Sequence, residues 1–204
     1  FISIIHSNIL ATLNDKIKKK WDENYDSCLS NYPSPAEVLR LNQHLLPKQG
    51  TALDLACGRG ANAICLAENG LSVSAWDISI SALKHLSSEA LKKNLKIKFE
   101  SRDISKKPPA SDSFNVITVS HFLDRELIDD IKNAIKKNGL VFYQTFIINK
   151  VNDVGPNNPD YLLEKNELLD LFNDWNTIYY REEGTTGKID EGFRDQAMLI
   201  AQKL

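Results

Sequence analysis

Short apolar runs alternate with longer segments of helical periodicity from Thr51 to the end of the chain. Several of these runs are apolar at almost every position, which is typical of parallel strands that are covered on both faces. The pattern predicts strands at TALDLA (51–56), LSVSAW (71–76), IKFES (97–101), FNVITVSHF (114–122) and GLVFYQTFI (139–147). Helices are predicted at 60–69, 80–93, 125–137 and 166–175. Strands that alternate with helices predict an α/β fold with a doubly wound, mostly parallel sheet.

The last two apolar runs break this alternation. NTIYYREEG (176–184) and DQAMLIAQKL (195–204) are both strand-like, and the connector TTGKIDEGF between them is too short for a crossover helix. Two strands joined in this way pair antiparallel. The pattern therefore predicts an antiparallel hairpin at the C-terminal end of the sheet.

Two helices are predicted before the first strand. One is a polar helix at 8–31, and the other, at 35–46, begins on a proline, which is a favoured residue in the first turn of a helix. A chain of 204 residues has the length of one domain. We therefore predict a single domain over residues 1–204, with an N-terminal helical cap at 1–47 and an α/β core with its hairpin at 48–204.

Composition and charge narrow the classes of partner. The chain is 42% hydrophobic and 25% charged, and its net charge is −2, so nothing draws it toward nucleic acid or an anionic membrane surface. Its three cysteines, Cys28, Cys57 and Cys65, form no CxxC pair, which argues against a disulfide framework and against a metal site of the zinc type. We expect a cytoplasmic protein with no nucleic-acid or membrane partner, and its oligomeric state is open. The N-terminal run FISIIHSNIL is too short to span a membrane and has no basic flank, so it is a poor signal peptide.

The chemistry of the chain concentrates in LDLACGRGANA, at residues 53–63. Gly58 and Gly60 fit a turn between strand and helix where the backbone approaches a ligand closely. The spacing also fits the dinucleotide fingerprint G-x-G-x-x-G/A, with Asp77 downstream. Asp54 distinguishes a dinucleotide from a ligand that carries an ammonium group. The pyrophosphate of a dinucleotide at this turn would face a like charge. An ammonium group, such as the one in S-adenosylmethionine (SAM), would face an opposite charge.

Three acidic residues stand at three successive predicted strand ends. We expect Asp54 to face the amino acid end of such a ligand and Asp77 to accept hydrogen bonds from both hydroxyls of a ribose. Asp103 can accept from the exocyclic amine of an adenine, between apolar faces supplied by Ile78 and Ile104. Each acid also has a simpler interpretation: Asp54 as a capping acid of the turn, Asp77 as a helix N-cap, and Asp103 as an acid of an ordinary loop.

These residues resemble the class I SAM-dependent methyltransferases. The resemblance runs from about Trp21 to Leu204 and rests on LDLACGRG, on the acid in SAWDIS, on RDI and on the closing hairpin. The phrases LDLACGRGANAICLAENGLSVSAWD and DWNTIYYREEG…FRDQAMLIAQK are most similar to the tellurite-resistance methyltransferases and related small-molecule enzymes. The resemblance implies SAM as the cofactor and a seven-stranded sheet whose final strand is antiparallel.

Two departures from the family pattern stand out. Ala56 and Asn62 occupy the outer glycine positions of the family's D/E-x-G-x-G-x-G motif, where small residues are tolerated. The tellurite-resistance enzymes carry a His-Arg pair in the hairpin loop, whereas this chain has Gly187-Lys188 there. Tellurite chemistry is therefore not carried over, and the expected acceptor is another small molecule. The cofactor-binding residues that we predict are Trp21, Tyr25, Asp54, Ala56, Gly58, Gly60, Asp77, Ile78, Asp103, Ile104 and Ser120.

Methyl transfer from a sulfonium is an in-line displacement that depends mainly on alignment and on exclusion of water. After the fourth strand the chain has TVSHFLDRE, which lacks the N/D-P-P-Y and Pro-Cys motifs of nucleic-acid methyltransferases. Ser120 and His121 stand where a small substrate would arrive, and His121 is either a base or a hydrogen-bond partner of a loop carbonyl.

The lid and the acceptor pocket come from elements outside the predicted sheet. Trp21 and Tyr25 lie four residues apart on one helical face, and they either cover the sulfonium or pack on the rim of the sheet. The long loop 151–165 carries Tyr161, which with Arg194 is a candidate for the acceptor pocket. The catalytic candidates are His121, Tyr25 and Arg194. Arg125 is expected to form a salt bridge near a helix start.

Two other functions share these features. A NAD-dependent oxidoreductase would use the same glycine-rich turn, and a nucleoside-binding module without catalysis would keep the pocket alone. Asp54 and the terminal hairpin argue against the oxidoreductase. A comparison of ligand binding and methyl transfer separates the three.

Overall fold

A computed structural model describes residues 15–27 and 31–204. In this part of the chain seven strands form one sheet, in the order β3-β2-β1-β4-β5-β7-β6. The strands are β1 (Thr51–Leu55), β2 (Ser72–Asp77), β3 (Ile97–Ser101), β4 (Phe114–Ser120), β5 (Ile135–Phe146), β6 (Asn176–Glu182) and β7 (Gln196–Gln202). The first five pair in parallel, and β7 pairs antiparallel with both β5 and β6. The predicted doubly wound sheet with an antiparallel C-terminal hairpin is confirmed.

Helices cover the sheet and precede its first strand. They are α1 (15–26), α2 (Glu37–Arg40), α3 (Ala61–Glu68), α4 (Ile80–Lys92), α5 (Ile128–Ala134) and α6 (Glu167–Leu171). Short 3-10 turns occupy Gln43–Leu45, Arg125–Leu127 and Pro159–Tyr161. The predicted helices at 60–69 and 80–93 agree with α3 and α4 to within one residue at each end.

The predicted helix at 35–46 is too long. The α-helix begins at Glu37 rather than at Pro35 and ends at Arg40, and a 3-10 turn follows from Gln43. Asn42 has a non-helical backbone, and its side-chain amide donates to the carbonyl of Val38 at 3.0 Å. A short polar side chain that bonds to nearby backbone in this way competes with helical hydrogen bonds, which accounts for the early end.

The predicted helix at 125–137 also ends early, at Ala134. Ile135 adopts extended backbone, is fully buried, and pairs with Phe114 at the start of β4. Burial and strand pairing therefore outweigh the helical period in this segment. The predicted helix at 166–175 is reduced to α6, because Phe172 leaves the helical conformation and packs fully buried between the rings of Tyr143 and Trp175.

The predicted N-terminal helix at 8–31 is partly outside the described residues, which exclude 1–14 and 28–30. The described part is helical at 15–26, turns at Ser27 and is non-helical from Asn31, so the predicted C-terminal end is wrong. No helix within 15–27 and 31–204 is long and apolar enough to cross a membrane.

The core lies on the two faces of the sheet. One buried cluster gathers α5, α6 and one face of the central strands around Tyr143, and the other gathers α2, α3, α4 and the opposite face around Phe142. Both aromatic side chains are fully buried on neighbouring positions of β5, as the alternation of a strand requires. The rigid sheet fixes the carboxyl ends of β1, β2 and β4 beside one another.

Candidate active site

The turn between β1 and α3 has an unusual backbone. Ala56, Gly58 and Gly60 all adopt positive φ, at 54°, 52° and 79°. Glycine takes this conformation without steric cost, whereas for alanine it is strained. Strained backbone of this kind concentrates at ligand sites, where the surrounding structure holds it in place.

Asp54 anchors this turn from inside the protein. Its side chain is fully buried, one oxygen accepts from the Ala63 backbone N–H at 2.9 Å, and the other accepts from the Thr118 hydroxyl at 3.0 Å. Ala63 lies in the first turn of α3, where backbone N–H groups have no partner within the helix. The geometry therefore supports the interpretation of Asp54 as a capping acid. A direct contact with a cofactor stays a prediction.

Burial raises the pKa of the Asp54 carboxyl to about 7, although hydrogen bonds from Thr118, Ala63 and Asn62 favour its charged form. The direction follows from desolvation, which penalises a charge held away from water. Asp54 therefore changes charge near neutral pH, directly behind the glycine turn.

Asp77 holds the same turn from the end of β2. One carboxylate oxygen accepts from the Gly58 backbone N–H at 2.7 Å, and the other accepts from the Ser79 N–H at 2.8 Å. Burial raises the pKa of Asp77, and the hydrogen bonds from Ser79 and Gly58 oppose the rise. The helix N-cap interpretation is wrong for Asp77, because the N-cap of α4 is Ser79, whose hydroxyl accepts from the Ala82 N–H.

The third acid lies after β3. Asp103 is partly exposed, with one carboxylate oxygen 3.5 Å from the Lys106 ammonium, and the neighbouring Ile104 is buried in the core. Arg102 between Asp103 and the strand stacks its guanidinium 3.7 Å from the centre of the Trp76 ring. The backbone N–H of Arg102 donates to the carbonyl of Asp77 at 2.8 Å, which joins this loop to the end of β2.

Asn62 links four elements, a role that the sequence analysis missed. Its amide donates to the Ser120 hydroxyl at 2.8 Å and lies 3.4 Å from Asp54, and its carbonyl oxygen accepts from the Ala36 N–H at 2.9 Å. In the family motif this position is only a place for a small residue, whereas here it carries a hydrogen-bonding amide. A buried amide at a glycine position is the signal that could have indicated the link.

His121 follows directly after β4, with a positive φ of 55°. Its Nε2 lies 3.2 Å from the side-chain oxygen of Gln196, and its ring centre lies 5.2 Å from that of Phe146. The predicted alternative, a hydrogen bond to a loop carbonyl, is therefore wrong, since the partner is a side-chain amide. Desolvation lowers the pKa of His121, and the bond to Gln196 opposes this change.

Helix α1 lies over the glycine turn. Trp21 and Tyr25 stack with ring centres 6.0 Å apart, as their spacing predicted, and Trp21 is 42% exposed. A Cβ added to Gly58 would lie 2.7 Å from the Tyr25 hydroxyl, so this ring meets the turn where only glycine leaves room.

Two carboxylates seat α1 on the start of α4. Asp22 accepts from the Ser79 hydroxyl at 2.6 Å and from the Ser81 N–H at 3.1 Å, and Asp26 accepts from the Ser81 hydroxyl. Negative charge is favourable at a helix N-terminus, so this attachment fits the helix dipole. The aromatic face of α1 is thereby held above the turn.

Arg194 binds its own loop. Its side chain is 11% exposed, and its guanidinium donates to the carbonyls of Gly184, Thr186, Lys188 and Glu191, all within the connector between β6 and β7. This geometry gives Arg194 a structural role, while its catalytic role stays a prediction. Arg125 forms the expected salt bridge, with its Nε 2.6 Å from Glu167.

The acid just before β7, Asp195, anchors the first part of the loop at 148–164, and Arg125 donates to the carbonyls of Asp160 and Leu162 near its end. Asp195 accepts from the Val151 N–H at 2.6 Å and from the backbone and side chain of Asn152. Burial alone would raise the pKa of Asp195, but these hydrogen bonds lower it below its usual value. Tyr161 in this loop is exposed, so the structure leaves it available to a ligand.

Comparison with known proteins places the chain in a family. The sequence model of the family "Tellurite resistance protein TehB" matches residues 19–198, and the chain belongs to this family. A ubiquinone biosynthesis O-methyltransferase from Coxiella burnetii is 24% identical over 141 residues, which are 67% of this chain and 60% of that protein. The chain thus spans less than two thirds of the length of this curated relative.

Solved structures share the fold. The crystal structure of TehB from Haemophilus influenzae has a TM-score of 0.65 and 22% identity, covering 92% of this chain and 67% of that one. A SAM-dependent methyltransferase from Methanosarcina mazei has a TM-score of 0.62 and 21% identity, covering 86% and 99%. The predicted class, a class I SAM-dependent methyltransferase of the tellurite-resistance group, is confirmed in family and fold, and SAM is the cofactor of this class.

The buried carboxyl of Asp54 generates a pH prediction. Its folded-state pKa of about 7 lies above the unfolded value of about 3.9, so the folded protein keeps a proton that the unfolded chain releases. The free energy of unfolding should therefore fall between about pH 4 and pH 7, by roughly 4 kcal/mol from this group. Asp54→Asn should remove this contribution, as measured by urea unfolding at a series of pH values.

The control for this experiment is Asp129→Asn, which changes an exposed acid on α5. Its unfolding free energy should follow that of the unmodified protein at every pH. Parallel curves for Asp54→Asn and the unmodified protein would show that Asp54 titrates normally.

The bonds of Arg194 generate a second prediction. Arg194→Lys keeps the charge but loses the planar set of donors, so unfolding should become easier by about 1–2 kcal/mol. The melting temperature should drop by about 2–8 °C while SAM affinity stays unchanged. Lys188→Ala, in the same connector, should be silent in both assays. A large loss of methyl transfer without loss of stability would instead assign Arg194 to catalysis.

Proposed function

We propose that this chain transfers a methyl group from SAM to a small-molecule acceptor by in-line displacement. The observation that supports it most is the hydrogen bond between Asp77 and the Gly58 N–H, which joins a buried acid to a glycine turn at the carboxyl edge of the sheet. Ligands of open α/β sheets bind at this edge. Family membership points to the same ligand.

The residues around the turn fit the cofactor. Gly58 and Gly60 allow close approach of backbone, and Asp77 would accept hydrogen bonds from the ribose hydroxyls. Asp103 would accept from the adenine amine, with Ile78 and Ile104 on the two sides of the ring. Asp54, Ala56 and Ser120 would shape the turn around the amino acid end.

The bound cofactor supplies an electrophilic methyl group on a sulfonium. The chain would contribute alignment and exclusion of water, which are the main sources of acceleration in such a displacement. Helix α1 would close the site, with Trp21 and Tyr25 facing the positive charge. Its attachment to Ser79 and Ser81 supports this arrangement, because both serines lie within four residues after Asp77.

An acceptor with a hydroxyl group suits the site best. The lowered pKa of His121 favours the neutral imidazole at neutral pH, and a neutral imidazole can take a proton from such a group. The Coxiella relative is named as an O-methyltransferase, which agrees with an oxygen acceptor. Tyr161 and the connector held by Arg194 would border the acceptor pocket. The cytoplasmic setting, the absence of nucleic-acid and membrane partners and the division into cap and core stay predictions.

Cofactor binding tests the proposal. Asp77→Ala should weaken SAM binding by more than tenfold, about 1.4 kcal/mol or more, because the ribose hydroxyls lose their acceptor. Asp77→Asn, which keeps one acceptor oxygen and the size of the side chain, should have an intermediate effect. Titration calorimetry measures both, with Asp129→Ala as a variant outside the site. NAD, the ligand of the oxidoreductase alternative, should not bind. An unchanged dissociation constant in Asp77→Ala would remove Asp77 from the site.

The aromatic lid generates a separate prediction. If Trp21 faces the sulfonium, Trp21→Ala should weaken SAM, which is cationic, more than S-adenosylhomocysteine, which lacks that charge. A cation–π contribution of about 0.5–2 kcal/mol corresponds to a roughly 2- to 30-fold difference between the two ligands. Ile17→Ala, another exposed apolar residue of α1, is the matched control. Equal weakening of both ligands would mean that Trp21 only packs on the rim.

A further inference from the structure

A network of hydrogen-bonded side-chain amides, called the amide network below, connects His121 to helix α2. The Val38 backbone N–H donates to Oε1 of Gln144 at 2.8 Å, and Nε2 of Gln144 donates to Oε1 of Gln196 at 2.8 Å. The same oxygen of Gln196 lies 3.2 Å from Nε2 of His121. The amide network thus runs from the backbone N–H of Val38, through Gln144 and Gln196, to the imidazole of His121.

The directions of the hydrogen bonds in the amide network are fixed by the Val38 N–H. A backbone N–H can only donate, so the atom of Gln144 that faces Val38 must be its oxygen. The other end of that amide is then an NH₂ group, which can only donate, so Gln196 presents its oxygen. An amide oxygen only accepts. The nitrogen of His121 that faces Gln196 must therefore carry a proton.

The residues of the amide network are held in place by the surrounding structure. Gln144 is 4% exposed on β5, and Gln196 is the first residue of β7, which pairs with β5. Val38 lies in the first turn of α2, where its N–H has no partner within the helix. His121 is fixed as well, since its own backbone N–H donates to the Gln144 carbonyl at 2.9 Å and its ring packs beside Phe146.

We propose that Gln144 and Gln196 are positioning residues that hold neutral His121 with its proton on Nε2 and present the Nδ1 lone pair as a base. This inference rests on the proposed function. Within the described residues, the bond to Gln196 is the hydrogen bond of the His121 ring, and the residue is exposed at the sheet edge. Nδ1 is the other ring nitrogen and, in this proposal, the one that a substrate meets.

The proton transfer balances with methyl transfer. As the acceptor oxygen forms its bond to the methyl carbon, the carbon–sulfur bond breaks and its electron pair stays on sulfur. The hydroxyl proton of the acceptor passes to Nδ1, and the resulting imidazolium keeps its Nε2–H bond to Gln196. Solvent takes the proton afterwards. This step assigns the acceptor to the class of phenols and other acidic hydroxyl compounds, because a carboxylate needs no base.

Nitrogen NMR of the ligand-free protein tests the inference directly. The ¹⁵N shifts and couplings of an imidazole distinguish a protonated from an unprotonated ring nitrogen. The set of signals that disappears in His121→Gln belongs to the His121 ring. Above its pKa, His121 should show a protonated Nε2 and an unprotonated Nδ1. A proton on Nδ1 in the unmodified protein would overturn the proposal.

Gln144→Glu should reverse the tautomer. Burial raises the pKa of a carboxyl at this position, so the spectra are recorded at a pH where the glutamate is ionised. The carboxylate still accepts from Val38 but now presents an oxygen to Gln196, whose amide must turn to donate. The NH₂ group of Gln196 then faces His121, so the imidazole proton should move to Nδ1. Gln202→Glu, on the same strand β7 but at the opposite edge of the sheet, is the matched control and should leave the tautomer unchanged. An unchanged His121 tautomer in folded Gln144→Glu would contradict the proposed amide network.

A second variant covers the case in which Gln144→Glu does not fold. Gln196→Glu places a carboxylate on the Nε2–H and should raise the pKa of His121 in the same spectra, because the charge stabilises the imidazolium. An unchanged pKa would contradict the contact. These spectra need no cofactor, whereas titration calorimetry reports SAM binding. A failure of the amide-network proposal is therefore distinguishable from a failure of the proposed function. With an active acceptor, Gln144→Glu should lower kcat for hydroxyl substrates by more than tenfold and leave the KM for SAM unchanged.

Discussion

Two buried carboxylates hold one glycine turn, and the candidate site depends on this constraint. Asp54 binds the first turn of α3 from within the protein, and Asp77 binds the Gly58 N–H from the end of the neighbouring strand. The turn between them carries strained backbone at Ala56. A buried acid without partners would be costly, so each carboxylate and the turn that satisfies it keep the other in place. The result is a preformed cradle at the edge of a rigid sheet.

The parts of the fold that follow from local pattern were predictable. All seven strands were expected. Strands β1, β4 and β7 are apolar almost throughout because both of their faces are covered, whereas the outer strands β3 and β6 are largely exposed. The turn at Gly58 and the acid at Asp77 also leave a local signal, since their spacing along the chain is fixed by the strand and helix that they join. The helices at 35–46 and 125–137 were too long because a side chain at Asn42 and a buried pairing at Ile135 decide their ends.

The polar connections of the site were not predictable in the same way. The bonds of Asn62 to Ser120, of Gln144 to Val38 and of Gln196 to Gln144 span 58, 106 and 52 positions of the chain. A neutral amide leaves no periodic pattern, and its partner is set by the order of strands in the sheet. Arg194 shows the converse error: a charged residue near the expected site binds the carbonyls of its own loop instead. Residue type identified the turn, and only tertiary structure identified the links around it.

Backbone amide NMR during a SAM titration tests the central claim most directly. If the turn held by Asp54 and Asp77 is the cofactor cradle, the largest shifts should fall on Gly58, Gly60 and the residues just after β2 and β3. A separate cavity, of about 210 Å³, lies at the opposite edge of the sheet beside Asn115 and Gly139, and the signals of these residues should not move. Shifts centred on Asn115 and Gly139, with the turn unchanged, would contradict the account.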